Sequence, residues 1–279
     1  LFFPVLSDEA RRVSHTIEIT QRPCTVESLM RDLLGLGVSG VVLAHTSLSK
    51  VGWICGGAVA MIEALTRALG PNGTLVVPTH SSDLSEPSEW RNPPVPESWW
   101  PVIRETMPPY DPARTPSWFM GRLPELFRTQ PGVVRSAHPQ VSFAARGPLA
   151  SAITGAHELD FGLGEGSPLA RLYDLSGSIL LLGVGHDRNT SLHLAEYRAR
   201  FPSRRTVTQG APISVEGRRR WVTFQDVLLS EDDFVRIGMD YEEDGGPLER
   251  GHVGAAETLF IPQRPLVDYA VRWMERHRG

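Results

Sequence analysis

The chain has 279 residues, 41% of them hydrophobic and 22% charged, with a formal net charge of −4. This is the composition of a globular protein and excludes a disordered, collagen-like or coiled-coil chain. The charge lacks the basic excess of a nucleic-acid binder and suits a cationic ligand. No apolar run approaches the roughly 20 residues of a membrane helix, so no membrane partner is expected. Cys24 and Cys55 are too few for a disulfide framework or a cysteine zinc site, and a reducing cytoplasm is expected.

The opening run 1–6 is apolar but short. It has neither a basic start nor a small-residue cleavage site, so no signal peptide is expected there. A helix is expected over 26–34, stopped by Gly35. Residues 41–45 read as a buried strand, 46–57 as a Ser- and Gly-rich loop, and 58–69 as a helix with Val59, Ile62, Leu65 and Leu69 at helical spacing. The Gly70-Pro71-Asn72-Gly73 turn leads into a second buried strand at 74–78. Such a strand-helix-strand unit implies a parallel pair with a right-handed crossover.

Residues 83–116 are rich in proline and carry Trp90, Trp99 and Trp100. They read as an ordered aromatic flap; its tryptophans, if exposed, would suit a ligand or a homodimer interface. A helix is expected over 118–129 and a short one over 169–175, closed by Gly177. A third buried strand follows at 178–184 and runs through a glycine turn into a helix at 191–200. A hairpin is expected from 207–215 and 220–224 around Glu216-Gly217. A helix should start at Ser230, and another spans 264–277. The expected fold is α/β: a single large domain over 1–279 with a mixed central β-sheet flanked by helices, an added β-hairpin and the flap.

Three segments carry imidazoles, hydroxyls and glycines in the pattern a site needs: 45–52, 135–139 and 185–196. With 78–83 they resemble the aminoglycoside 3-N-acetyltransferase family. The matching stretches are 45–57 (HTSLSKVGWICGG), 78–83 (PTHSSD), 135–139 (RSAHP) and 183–196 (GVGHDRNTSLHLAE), in order along the chain.

The resemblance implies transfer of an acetyl group from acetyl-CoA to the 3-amino group of a 2-deoxystreptamine ring, with antibiotic resistance as the outcome. It implies His193 as the base that takes the amine proton, a task suited to an imidazole near neutral pH. Asp226, matching an acidic position of the family, would orient that imidazole or hold the drug; Glu196, one helical turn from His193, is the alternative. Thr190 and Ser191 would stabilise the oxyanion from a helix N-terminus, or act only as caps. His45, Thr46, Ser47, Leu48, Ser49 and Gly52 form the expected CoA-binding loop. His138 resembles a position near the CoA entrance, with a core or capping role as the alternative. Asp83, Glu86, Glu89, Trp53 and Tyr110 are candidates to meet the polycationic drug, with Glu196 and Asp226.

Three rival readings remain. One is acetylation of another metabolite amine, and another is a non-catalytic CoA or drug binder. The third is a metal-dependent hydrolase built on His80, His186, Asp187 and His193, although that spacing matches no zinc template and no metal is expected. No Gly-x-Ser-x-Gly elbow occurs, which counts against a serine hydrolase.

Overall fold

Aliphatic strands buried on both faces form the middle of the protein. The computed structural model describes residues 8–279; the apolar run 1–6 lies outside them. The strands are β1 (Val41–Thr46), β2 (Thr74–Pro78), β3 (Val134–Arg135), β4 (Phe143–Arg146), β5 (Ser178–Leu182), β6 (Thr206–Val215), β7 (Arg218–Val227), β8 (Glu249–Val253) and β9 (Ala256–Pro262). Seven of them form one mixed sheet in the order β3-β4-β2-β1-β5-β9-β8, and β6 and β7 form a separate hairpin. β1 is parallel to β2 and to β5, as the strand-helix-strand pattern requires, while the outer pairs are antiparallel.

The first four helices are α1 (Asp8–Glu18), α2 (Val26–Gly35), α3 (Leu48–Val51) and α4 (Gly57–Leu69). Then come α5 (Trp100–Thr106), α6 (Arg122–Phe127), α7 (Ala150–Thr154), α8 (Pro168–Asp174), α9 (Ser191–Arg198), α10 (Phe234–Glu243) and α11 (Gln263–His277). Alternation along the strands divides the core. Val42, Ala44, Leu75, Val77, Leu180 and Leu182 face α2, α4 and α6. Leu43, Val76, Ile179 and Leu181 face α7, α8, α9 and α11. With both faces covered, the strands read as continuous apolar runs, which is why they are visible in the sequence. Among the described residues no helix is long and apolar enough to cross a membrane.

Several boundaries differ from the sequence reading. Gly35 lies inside α2, and the turn comes at Gly37, with φ of 73°. The helix expected over 118–129 shrinks to α6 because Phe119 and Gly121, with φ of 54° and 88°, cannot be helical. The helix expected from Ser230 starts at Phe234; the Ser230 hydroxyl bonds the Asp232 carboxylate instead. The hairpin is longer than expected, and both turn residues, Glu216 and Gly217, have positive φ, as a tight two-residue turn demands. β3, β4, β8 and β9 have no counterpart in the sequence reading.

The flap is anchored on the hairpin. The Tyr110 N–H donates to the Pro212 carbonyl at 2.9 Å and Arg219 Nε to that of Met107 at 2.7 Å. Buried Arg135 fixes its far end, donating to the carbonyls of Thr79 and Thr115 and stacking over the Tyr110 ring.

Beside Arg135 lies a buried pair of histidines, each bonded as one neutral tautomer. His138 donates from Nε2 to the Leu159 carbonyl, and its Nδ1 accepts the N–H groups of Gln140 and Val141. His157 donates from Nε2 to the Gly162 carbonyl and accepts the Ser136 hydroxyl at Nδ1. Protonating either Nδ1 breaks these bonds inside the core. Burial holds His138 down to about 4 and His157 to about 3. Above about 6.5 both are neutral folded or unfolded and contribute no pH dependence. Below it the unfolded chain takes up protons that the folded one refuses, so stability is lost as pH falls. Each histidine should cost up to about 1.4 kcal/mol per pH unit across that window. Urea midpoints at pH 7.5 and 5.5 read this directly; equal midpoints would contradict it.

Candidate active site

Because β1, β2 and β5 are parallel, their C-terminal ends share one edge, where open α/β sheets gather their sites. β1 delivers His45 and Thr46 to that edge, the residues after β2 deliver His80 and Asp83, and the turn after β5 leads into α9 with His193. His45 Nε2, Thr46 Oγ1, His80 Nε2 and Asp83 Oδ1 are buried there without a hydrogen-bond partner among the described residues. Unpaired polar atoms in a protein interior are costly, so four converging on one edge mark a place built to receive a ligand. Burial pushes both His45 and His80 down to about 3, with the charge of nearby His193 acting in the same sense. These two imidazoles are therefore neutral near pH 7, whereas burial raises the Asp83 carboxyl.

His193 sits differently. Its side chain is 15% exposed, and its Nδ1 lies 2.6 Å from Glu196 Oε2. A carboxylate can only accept there, so Nδ1 carries a proton, and in the neutral ring the lone pair lies on Nε2. Phe234 of α10 packs edge-on against the ring, with centroids 4.9 Å apart. Glu196 is only 1% exposed, and its other oxygen accepts the Ser230 N–H at 2.9 Å and Arg278 Nη1 at 2.6 Å. An imidazole oriented by a buried carboxylate, with no hydrogen bond at the opposite nitrogen among the described residues, has the geometry that general-base chemistry needs.

Asp226 is not the carboxylate that orients His193. It lies within β7, and its Oδ1 accepts the Tyr197 hydroxyl and the Val227 N–H. It is close enough for the charge of His193 to act on it, but no hydrogen bond joins them. Ser191 faces inward, fully buried, with its hydroxyl accepting from Gln263 Nε2 and its N–H directed to Asn189 Oδ1, so it does not present donors to CoA. The N–H of Thr190 goes to the Arg188 carbonyl, while its hydroxyl makes no capping bond. Of the oxyanion donors expected here, the Thr190 hydroxyl is the one left without a partner among the described residues.

In the expected CoA loop, the Ser47 and Ser49 hydroxyls are 3.2 Å apart at the surface and Leu48 packs partly on the core. Gly52 is buried with φ of 98°, and a Cβ there would meet Thr20 Oγ1 at 2.6 Å. Its missing side chain therefore makes room for Thr20 rather than for a ligand. His138 is the core histidine described above, not a group at an entrance. Tyr110 is buried, donating its hydroxyl to the Ser136 carbonyl, and cannot reach a drug. Glu86 is spent on the guanidinium of Arg104 and on Ser88. Glu89 pairs with Arg91 at the surface, and Trp53 is exposed.

The residues of the hydrolase reading do not converge. His186 is buried under Gly238 of α10, where a Cβ would be 2.1 Å from its ring, and its Nε2 faces Glu242 Oε1 at 3.4 Å. Asp187 pairs with Arg188 at the surface. Among the described residues no three ligand-type side chains form a group that could hold a metal. Arg278 and Ser230 complete the site yet escape the sequence reading, since nothing local links them to Glu196.

Residues 43–275 match the aminoglycoside 3-N-acetyltransferase family. The chain belongs to that family. It is 44% identical over 260 residues to the SPbeta prophage-derived aminoglycoside N(3')-acetyltransferase-like protein YokD of Bacillus subtilis (strain 168), covering 92% of this chain and 94% of that one. It is 39% identical over 275 residues to aminoglycoside N(3)-acetyltransferase VII of Streptomyces paromomycinus, covering 92% and 93%. The crystal structure of aminoglycoside acetyltransferase AAC(3)-Xa superposes with a TM-score of 0.88 at 37% identity, covering 96% of this chain and 99% of that one. That of AAC-IIIb in binary complex with CoASH superposes with a TM-score of 0.82 at 32% identity, covering 92% and 98%.

The family assignment gives the buried dyad a use that a variant can test. Glu196→Gln removes the anion that holds His193 and Arg278, and should lower kcat by about 100-fold. It should also lower stability by about 3 kcal/mol, because a buried pair is broken. Steady-state rates and urea unfolding of the same preparation check both.

Proposed function

We propose that the protein acetylates the 3-amino group of the 2-deoxystreptamine ring of aminoglycoside antibiotics at the expense of acetyl-CoA, and so confers resistance. The observation that carries this reading is His193, oriented by buried Glu196 and placed beside unpaired polar atoms at the ends of three parallel strands, in a chain of this family. The protein is an acyltransferase that takes acetyl-CoA as cosubstrate. We assign it to the cytoplasm, where acetyl-CoA is made and where Cys24 and Cys55 would stay free thiols.

His193 Nε2 accepts a proton from the attacking amine as the N–C bond to the acetyl carbon forms. Glu196 and Arg278 hold the resulting imidazolium in place, and Asp226 adds negative charge nearby without a hydrogen bond to it. The Thr190 hydroxyl donates to the carbonyl oxygen as negative charge develops there. As the C–S bond to CoA breaks, His193 returns the proton to the departing sulfur, leaving the N-acetyl drug and free CoA thiol. The loop with Thr46, Ser47 and Ser49 offers hydroxyls to the pantetheine arm. Neutral His45 and His80 line the site without opposing the cationic drug. Asp83, whose Oδ1 has no protein partner among the described residues, receives one of the drug's ammonium groups.

Thiol release from acetyl-CoA, measured with and without a panel of aminoglycosides, tests the reading. Release should require a drug, and His193→Ala should lower it by a factor on the order of 100 to 10,000 while CoA still binds. Activity retained within a few-fold would remove His193 as the base. If CoA binds but no drug promotes release, the acceptor is a different amine. For the drug site, Asp83→Asn should raise KM for the drug by about 10-fold and leave KM for acetyl-CoA unchanged. Equal changes in both constants would argue against that contact.

A further inference from the structure

One buried cation stands behind the base at one remove. Arg278, just past the end of α11, has a side chain only 12% exposed. Its guanidinium is fully engaged: Nη1 donates to Glu196 Oε1 at 2.6 Å, Nη2 to the Ser230 carbonyl at 2.9 Å, and Nε to Asp233 Oδ2 at 2.7 Å. Nη2 also bonds Asp233 Oδ1 at 2.5 Å, and the guanidinium lies 5.3 Å from the centre of the Phe201 ring. Burial opposes its charge, but the bonds to Asp233 and Glu196 outweigh that and strengthen it.

The charge count explains why such a group is needed. A buried glutamate facing only a histidine would be balanced most readily by protonating the imidazole, and a stored imidazolium cannot accept the amine proton. With Arg278 on the opposite oxygen, a cation that Asp233 shares, the Glu196 anion has a charged partner while His193 is neutral. The same guanidinium fixes Ser230 and Asp233, which lead into α10 and so set Phe234 against the His193 ring.

We propose that Arg278 is a positioning residue of the acetyl transfer: it balances Glu196 and thereby keeps His193 neutral, oriented and able to act as base. This rests on the reading of His193 as the base and extends it to the group that sets its resting charge. His193 is faced by Glu196 on its own helix, by Phe234 of α10, by neutral His45 and His80 at the ends of β1 and β2, and by Asp226 of β7. Arg278 acts on it through Glu196.

The test is the pH dependence of kcat for wild type, Arg278→Lys and Arg278→Ala. Arg278→Ala should lower kcat by about 10-fold or more at neutral pH and leave KM for acetyl-CoA within about two-fold. Its acid limb should move to higher pH, because the uncompensated dyad holds a proton more firmly. Arg278→Lys, which keeps the charge but not the fork, should bring the limb back toward wild type. Should Arg278→Ala fail to fold, Asp233→Asn serves instead: it frees the guanidinium from one anchor but keeps its charge near Glu196, and should lower kcat without moving the acid limb to higher pH.

An Arg278→Ala enzyme with unchanged kcat and acid limb would overturn the proposal. So would a loss of rate with no movement of the limb and no recovery in Arg278→Lys, which would mark a purely structural role. Should Asp233→Asn be the variant in use, an unchanged kcat or a limb displaced as far as loss of the charge predicts would overturn it too. His193→Ala in the same assay keeps the two ideas apart. Turnover that survives without His193 defeats the base reading; turnover that needs His193 but ignores Arg278 defeats only this one.

Discussion

A carboxylate taken out of water must find donors or lose its charge, and Glu196 is almost completely out of water. Its donors come from three places in the chain: His193 one helical turn earlier, the Ser230 N–H before α10, and Arg278 beyond α11. Meeting that one requirement ties α9, α10 and α11 together at the edge of the sheet. It also explains a local departure from sequence expectation. Ser230 looks like a helix cap, but its N–H is committed to Glu196, and the helix begins only at Phe234.

Burial divides the histidines into separate roles. His138 and His157 are held in the core by bonds that accept a single neutral tautomer each, and they support the loop behind Arg135. His45 and His80 are buried and neutral at the strand ends, with Nε2 atoms left unpaired among the described residues. His193 combines partial exposure with a buried carboxylate partner. The same side chain thus serves as core filler or site wall, or is set up as the proposed base, according to what surrounds it.

The acidic residues sort in the same way. Glu86, Glu125 and Glu165 are paired with arginines, and Asp226 is bonded to Tyr197 and its own strand. Asp83 keeps a buried oxygen without a protein partner among the described residues. A net charge of −4 makes a cationic substrate plausible, but which carboxylate meets it depends on which ones the arginines have not already taken. The flap, anchored through Tyr110, Arg135 and Arg219, brings Asp83 to the strand ends while its Glu86 and Glu89 are taken by Arg104 and Arg91.

Much of this protein is legible in its residues. The three central strands are continuous apolar runs, the helix between β1 and β2 has an apolar stripe at helical spacing, and the Glu216-Gly217 turn marks the hairpin. The motif stretches identify the family, and they point to His193 as the candidate base. Such signals are local, carried by spacing within about 15 residues. The identity of the carboxylate behind His193 depends instead on which side chains are buried together. The sequence reading puts Asp226 first and Glu196 second, and only packing shows that Asp226 is already bonded to Tyr197. Tyr110, Glu86, Ser191 and Gly52 have the right chemistry for a ligand but face inward or toward protein partners. Arg278 reaches Glu196 across 82 positions of the chain. The sequence by itself determined the three central strands, the hairpin and the family, because these are written in local pattern. The tertiary structure decided which groups surround Glu196 beside His193, because a buried charge is satisfied by neighbours in space, and folding alone chooses those neighbours.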